Sequence, residues 1–298
     1  EPITWPSSSS PKVLGLAAFI QLIQHHTMDA SLSCIQYYLV THPKIINFSW
    51  NPGATFASTP NFVFLAVLAY LCLTFLLPRL HFPVPEAHIL KLMTALHSLT
   101  LFLLSALMVL GCTLSIFYHK SSLFRRTICF PIGTTPSGPL FFWAYVFYLS
   151  KLLEFLDTLL IILSRSLNRL TFLHVYHHAT VLVMCYLWLQ TSQSLFPVAL
   201  VTNALVHVVM YYYYFCCAIG FRPKWKKLVT NVQIVQFMFS FVVSGWMLYE
   251  HFIGSGCSGF GGWCFNAIFN ASLLALFVDF HVKSYNRNKP GGTKQKGL

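Results

Sequence analysis

Residues 174–188 read HVYHHATVLVMCYLW, three histidines opening a stretch that is otherwise almost wholly apolar. On a helix, at 100° per residue, His174, His177 and His178 fall within a single arc and point the same way. A neutral imidazole is a nucleophile toward thioesters near neutral pH, and a second imidazole beside it moves protons. Three further stretches carry polar side chains at helical spacing. KLLEFLDT places Lys151, Glu154 and Thr158 on one face, with Asp157 at its margin. NALVHVVMYYYY sets Asn203, His207, Met210, Tyr211 and Tyr214 on a narrow stripe, and TNVQIVQ presents Gln233 and Gln236 just after Thr230.

Each stretch also has a plainer reading. Lys151, Glu154 and Asp157 could form a buried ion network that holds helices together instead of doing chemistry. Lone glutamines in apolar helices are more often packing contacts. Four histidines on two helices are harder to assign to packing alone. Amides such as Asn203, Gln233 and Gln236 can stabilise an enolate or an oxyanion.

The elements that must position these groups are membrane helices. Of the 298 residues 56% are hydrophobic and 9% charged, with a mean hydropathy of +0.64. Soluble domains carry roughly 25% charged residues, so the chain is an integral membrane protein. Its net charge of +12 lies in cations between apolar runs, the pattern of juxtamembrane topology signals and not of a nucleic-acid face. Nine cysteines form no CxxC pair, which excludes a soluble zinc module.

Spans of about 20 residues are predicted near Phe56–Leu77, Leu90–Phe117, Leu140–Leu163, Thr171–Leu189, Leu195–Ile219, Leu228–Tyr249 and Trp263–Val282. This is an all-α polytopic protein of seven transmembrane helices over residues 31–285, whose polar faces enclose a chamber open toward the basic side. Residues 286–298 form a basic tail, in which Lys294 and Lys296 have the spacing of a dilysine retrieval signal. Residues 1–30 read as an extension outside this domain, because Val13–Ile23 is too short to span and Met28 opens a start-like phrase. Thirteen loop and tail cations fall on the side of the C-terminus and five on the other. That bias predicts a lumenal N-terminus and a cytosolic C-terminus. The Asn47-Phe48-Ser49 sequon fits this orientation, as does a lumenal disulfide of Cys129 with Cys257, for which Cys264 is a rival partner.

Three functions accommodate the histidines: a di-iron desaturase or hydroxylase, a seven-helix receptor or transporter, and acyl-transfer catalysis. The remaining histidines form no second HxxHH, which leaves iron short of ligands. No metal site and no cofactor are expected. A receptor does not require Lys, Glu, Asp and Gln beside the imidazoles, whereas catalysis on an acyl thioester uses all of them.

In order, KLLEFLDT, HVYHH, NALVHVVMYYYY and TNVQIVQ resemble the KxxExxDT, HxxHH, NxxxHxxMYxYY and TxxQxxQ motifs of the ELO family of very-long-chain fatty acid elongases. The resemblance covers roughly residues 31–290, and THPKIINFSW and GCTLSIFY are most similar to plant members. It implies an endoplasmic-reticulum acyltransferase, with six of seven helices around a substrate tunnel. The enzyme would join long-chain acyl-CoA to malonyl-CoA and give 3-oxoacyl-CoA, carbon dioxide and CoA. It would serve very-long-chain fatty acid and sphingolipid synthesis beside the reductases and dehydratase of the cycle, with a homodimer as one possible assembly. His177 would be the nucleophile of a ping-pong reaction, with His174, His178 and His207 orienting it or moving protons. Asn203, Gln233 and Gln236 would give hydrogen-bonding support, and Lys151, Glu154 and Asp157 would hold the helices. Lys226, Lys227 and Arg287 would meet the CoA phosphates. Asp279 stands where family members often have Asn or His, a change placed at the tunnel mouth or a helix contact.

Overall fold

A computed structural model describes residues 32–81, 83–118 and 127–286. The expected extension over residues 1–30, the cations Lys120, Arg125 and Arg126, and Arg287 with the tail lysines Lys294 and Lys296 lie outside the described residues. Among the described residues the chain is helical, with one isolated bridge between Ser49 and Ser137 in place of any sheet.

Eight main helices follow a short helical lead-in: α1 Pro60–Leu76, α2 Ala87–Tyr118, α3 Pro139–Leu153, α4 Phe155–Leu163, α5 Phe172–Gln190, α6 Phe196–Ala218, α7 Lys226–Ile253 and α8 Phe260–His281. Their starts carry ordinary signals. The Thr59 hydroxyl accepts from Phe62 N–H ahead of α1, and Thr171 does the same for His174 N–H ahead of α5. Pro60, Pro139 and Pro197 occupy first turns, where a missing N–H costs nothing.

Among the described residues six helices, α1, α2 and α5 to α8, are long and apolar enough to cross a membrane. The predicted span Leu140–Leu163 instead divides at Glu154 into α3 of 15 residues and α4 of nine, each shorter than the roughly 20 residues a span needs. Glu154 keeps right-handed angles (φ −64°, ψ −16°) and its N–H donates to Ser150 O at 2.9 Å, so α4 follows directly on α3. The interruption falls on the residue of this segment whose carboxylate pairs with the buried Lys151 ammonium.

Large apolar side chains such as Phe64, Val242 and Ile268 face outward, as expected of a surface solvated by lipid. Inside, α3, α5 and α6 share an aromatic core in which Phe147 stacks on Trp188 at 5.5 Å and Phe141 meets Phe196 at 5.1 Å. α2 reaches α3 at Gly111, where the Trp143 ring fills the space that any Cβ would need. The end where α5 stops is tied by loops: Phe130 N–H donates to Ser194 Oγ (2.9 Å), Ser194 N–H to Ser258 O (3.0 Å) and Ser258 N–H to Phe130 O (2.8 Å). A disulfide joins Cys129 to Cys257 across 128 residues of sequence, and Cys264 is a free thiol.

Candidate active site

The charged part of the site is built at the junction of α3 and α4. Lys151 has no exposed surface, and its Nζ lies 2.6 Å from Glu154 Oε1. From α6, His207 brings Nδ1 within 3.3 Å of that same oxygen, although off the angle of a hydrogen bond. Lys151 Nζ also sits 4.1 Å over the Phe147 ring. An ion pair in an apolar interior persists only where its partners are as close as these.

One turn further, α4 presents two more polar groups to different neighbours. Asp157 Oδ2 accepts from Tyr211 OH at 2.7 Å, and its Oδ1 lies 3.1 Å from His97 Nε2 on α2. Thr158 Oγ1 bonds His174 Nε2 at 2.8 Å and Tyr70 OH at 3.1 Å, forming a chain from α1 through α4 to α5. Three consecutive polar positions of one motif thereby reach α1, α2, α5 and α6.

The histidine rings on α5 cluster as their spacing predicts. Ring centroids of His174 and His178 are 4.4 Å apart, and those of His177 and His178 are 5.5 Å apart. His177 runs nearly parallel to Phe269 of α8 at 6.3 Å. His174 is engaged by Thr158, whereas the Nδ1 atoms of His177 and His178 are buried without a partner. Asn203 Nδ2 donates to Gln236 Oε1 at 3.4 Å, Gln233 Nε2 approaches Met210 Sδ at 3.7 Å, and Tyr214 packs 6.0 Å from Tyr211.

A crevice between α5, α6, α7 and α8 passes His177, Asn203 and Gln236. Its volume of about 30 Å³ is small beside the roughly 300–1,000 Å³ of ligand pockets. The helix faces predicted an open polar chamber. Here Trp188, Phe237, Phe269 and Leu273 fill the space between the polar groups and leave a narrow gap. Lys226 and Lys227 are exposed at the start of α7 and do not line it; Lys227 Nζ lies 5.9 Å from the Tyr285 ring. Asp279 is exposed and pairs with Lys283 at 2.8 Å.

Tyr70, His97, Asn266 and Asn270 were not anticipated from the sequence. For His97 a signal existed, since an ionisable side chain inside an apolar span marks a partner. Among the described residues no three His, Cys, Asp or Glu side chains converge as a metal-ligand set. What the arrangement offers is an imidazole with a free nitrogen at a crevice wall, two more imidazoles beside it, and paired amides opposite. That is the equipment of acyl transfer with proton movement.

Comparison with known proteins agrees with the motif resemblance. The model of the ELO: GNS1/SUR4 family matches residues 55–293. A fatty acid elongase 3-like protein of Arabidopsis thaliana is 32% identical over 277 residues, covering 86% of this chain and 94% of its own. Fatty acid elongase A of Dictyostelium discoideum is 35% identical, over 64% of this chain and 71% of its own. Very long chain fatty acid elongase 5 of Mus musculus is 37% identical over 52% of this chain and 50% of its own. With the family match running over most of its length, this chain belongs to the ELO family.

Proposed function

We propose that the protein is the condensing enzyme of fatty acid elongation, a 3-oxoacyl-CoA synthase acting on long-chain acyl-CoA and malonyl-CoA. The observation that carries this reading is His177, the one histidine of its cluster at the crevice wall, with a ring nitrogen that no protein group occupies. The family and the elongase names of its relatives support the substrate class.

In the proposed reaction an imidazole nitrogen of His177 attacks the acyl thioester carbon. The C–S bond breaks, a C–N bond forms, and CoA leaves as its thiol after taking a proton. Malonyl-CoA then loses carbon dioxide, and the electron pair of that C–C bond becomes an enolate. The enolate carbon attacks the acyl-imidazole, a new C–C bond replaces the C–N bond, and 3-oxoacyl-CoA departs. The amides of Asn203 and Gln236 hydrogen-bond the enolate oxygen. His178 and His207 move protons, and His174, fixed by Thr158, holds the face of α5 toward the reacting carbon. Lys151, Glu154 and Asp157 act as a brace between α3, α4 and α6.

The same reading makes α3 and α4 together the seventh span, with six spans around a tunnel that opens when chain binding parts the aromatics of the crevice. It puts the disulfide end in the lumen of the endoplasmic reticulum and the basic end in the cytosol. There Lys226 and Lys227 meet the CoA phosphates, beside the reductases and dehydratase of the cycle. The test is a membrane assay with labelled malonyl-CoA and saturated acyl-CoAs, run with and without an iron chelator. A labelled 3-oxo product two carbons longer, independent of chelator and lost in His177→Ala, is expected. Full activity in His177→Ala sinks the nucleophile assignment, and no product from the wild type sinks the reaction.

A further inference from the structure

The crevice does not stop at the histidines. Past Asn203 and Gln236 it continues by Ala199, Thr202 and Ser240 into a recess of about 10 Å³ bounded by Gln193 and Asn266, about the space one water-sized group needs. Gln193 belongs to the turn between α5 and α6 and is 1% exposed, yet neither Oε1 nor Nε2 has a partner. Asn266 on α8 is 3% exposed and its Oδ1 is also unpartnered.

Considerable backbone adjustment surrounds that amide. Ser192 and Leu195 both adopt left-handed conformations (φ 46° and 72°), which residues with a Cβ rarely accept. Gly259 (φ 69°) lies against the Gln193 backbone, where a Cβ would collide, and a Cβ on Gly262 would press on Gln193 Oε1 at 3.0 Å. A Leu or Met at 193 would fill the recess without leaving buried polar atoms unbonded, which are costly in an apolar interior. A buried amide that no protein group satisfies points to a ligand atom that completes it. A hydroxyl fits both ends of the amide, donating to Oε1 and accepting from Nε2.

We propose that this recess binds the oxygen-bearing far end of a long acyl chain, a terminal hydroxyl, while the thioester end of the same chain lies at His177. The inference rests on the condensing reading above and adds a substrate class to it. Thirteen residues of α5 separate His177 from Gln190, a rise of about 20 Å, so only chains long enough to cover that distance deliver a hydroxyl to Gln193. A plain hydrocarbon end of equal length leaves the two amides unsatisfied.

The test offers the protein, in native membranes, an ω-hydroxylated saturated acyl-CoA in competition with the unsubstituted acyl-CoA of the same carbon number, over a series of lengths. The expected result is a preference for the hydroxylated chain of about fivefold to tenfold, the worth of one net buried hydrogen bond. It is confined to the longest substrates and falls to about one in Gln193→Met. Asn266→Leu reads the same ratio if Gln193→Met does not accumulate. Equal use of both chains by the wild type overturns the inference, leaves the condensing reading standing and assigns the recess to water. A preference that survives both variants overturns it too. No product from either chain removes the condensing reading and this inference with it.

Discussion

Where α5 begins, Lys151, Glu154, Asp157, Thr158 and four of the surrounding histidines and tyrosines (Tyr70, His97, His174 and Tyr211) are held together by contacts of 2.6–3.1 Å. Where α5 stops, the Gln193 side-chain amide and Asn266 Oδ1 are buried without a protein partner, under loops tied by a disulfide. Both ends hold polar groups in an apolar bundle, but the first pairs its charges within the protein, leaving Glu154 Oε2 and the Nδ1 atoms of His177, His178 and His207 without a hydrogen bond, whereas at the second these amide atoms have no protein partner at all. Full charges cannot stay buried unpaired, so the first end must be satisfied by protein. Neutral amides cost less to leave open and can wait for a ligand. Rigidity therefore belongs to the histidine end by electrostatics and to the far end by covalent closure.

The largest effect is expected where that electrostatic account is tested directly. Glu154→Gln leaves the Lys151 ammonium buried without a counter-charge, at a cost of about 3–5 kcal/mol. The expected outcome is little folded protein, read by thermal stability in detergent. The double variant Lys151→Met with Glu154→Leu recovers most of that loss without recovering condensation. If the double variant is as unstable as the single one, the pair is not a coupled unit and the contrast between the ends fails.

Covalent closure is tested by Cys257→Ser, which opens a loop of 128 residues. Loss of a native disulfide typically costs about 2–5 kcal/mol. A lower melting temperature is expected, with condensation at low temperature retained, because the bond lies at the other end from His177. A matching loss of activity at low temperature shows that the two ends are coupled more tightly than their contacts imply.

These contacts were unequally legible in the sequence. The partners of Glu154 and Asp157 within the motif helices follow from spacing, since the stripe containing His207 and Tyr211 has to meet a polar counterpart and KLLEFLDT is the nearest available. Tyr70 and His97 lie in long apolar helices outside the four motifs, and nothing in their own neighbourhood names α4 as their partner. The break at Glu154 was hidden for a similar reason: apolar residues run through it on both sides, and only the ion pair with Lys151 distinguishes it. The narrowness of the crevice was hidden as well. Helical spacing tells which polar faces converge but not that Phe237 and Phe269 lean between them. Gln193 lies in a turn, outside any periodic pattern, and its burial depends on two glycines some 66 residues away in α8 and just before it.

A smaller effect separates the imidazoles of the proposed reaction from their support. Tyr70→Phe deletes the outer link of the Tyr70–Thr158–His174 chain and keeps the ring stacked on Phe155 at 4.3 Å. The lost hydrogen bond is worth about 0.5–1.5 kcal/mol, so condensation should slow by about twofold to tenfold in kcat with KM for acyl-CoA unchanged. An unchanged kcat removes Tyr70 from the site and leaves Thr158 as the end of the chain.

The smallest effect falls outside the bundle, at Lys226 and Lys227. Both are exposed, so their attraction for a phosphorylated carrier acts through water and is screened over about 8 Å at physiological ionic strength. Substituting both by Ala should raise KM for acyl-CoA about twofold to fivefold at low salt and by less as salt increases, with kcat unchanged. Under the proposed reaction, charge at the mouth gathers a CoA ester without taking part in the bond changes at His177. A fall in kcat that persists at high salt would place these lysines nearer the chemistry than their exposure indicates, and would move the boundary of the histidine end outward to the first turn of α7.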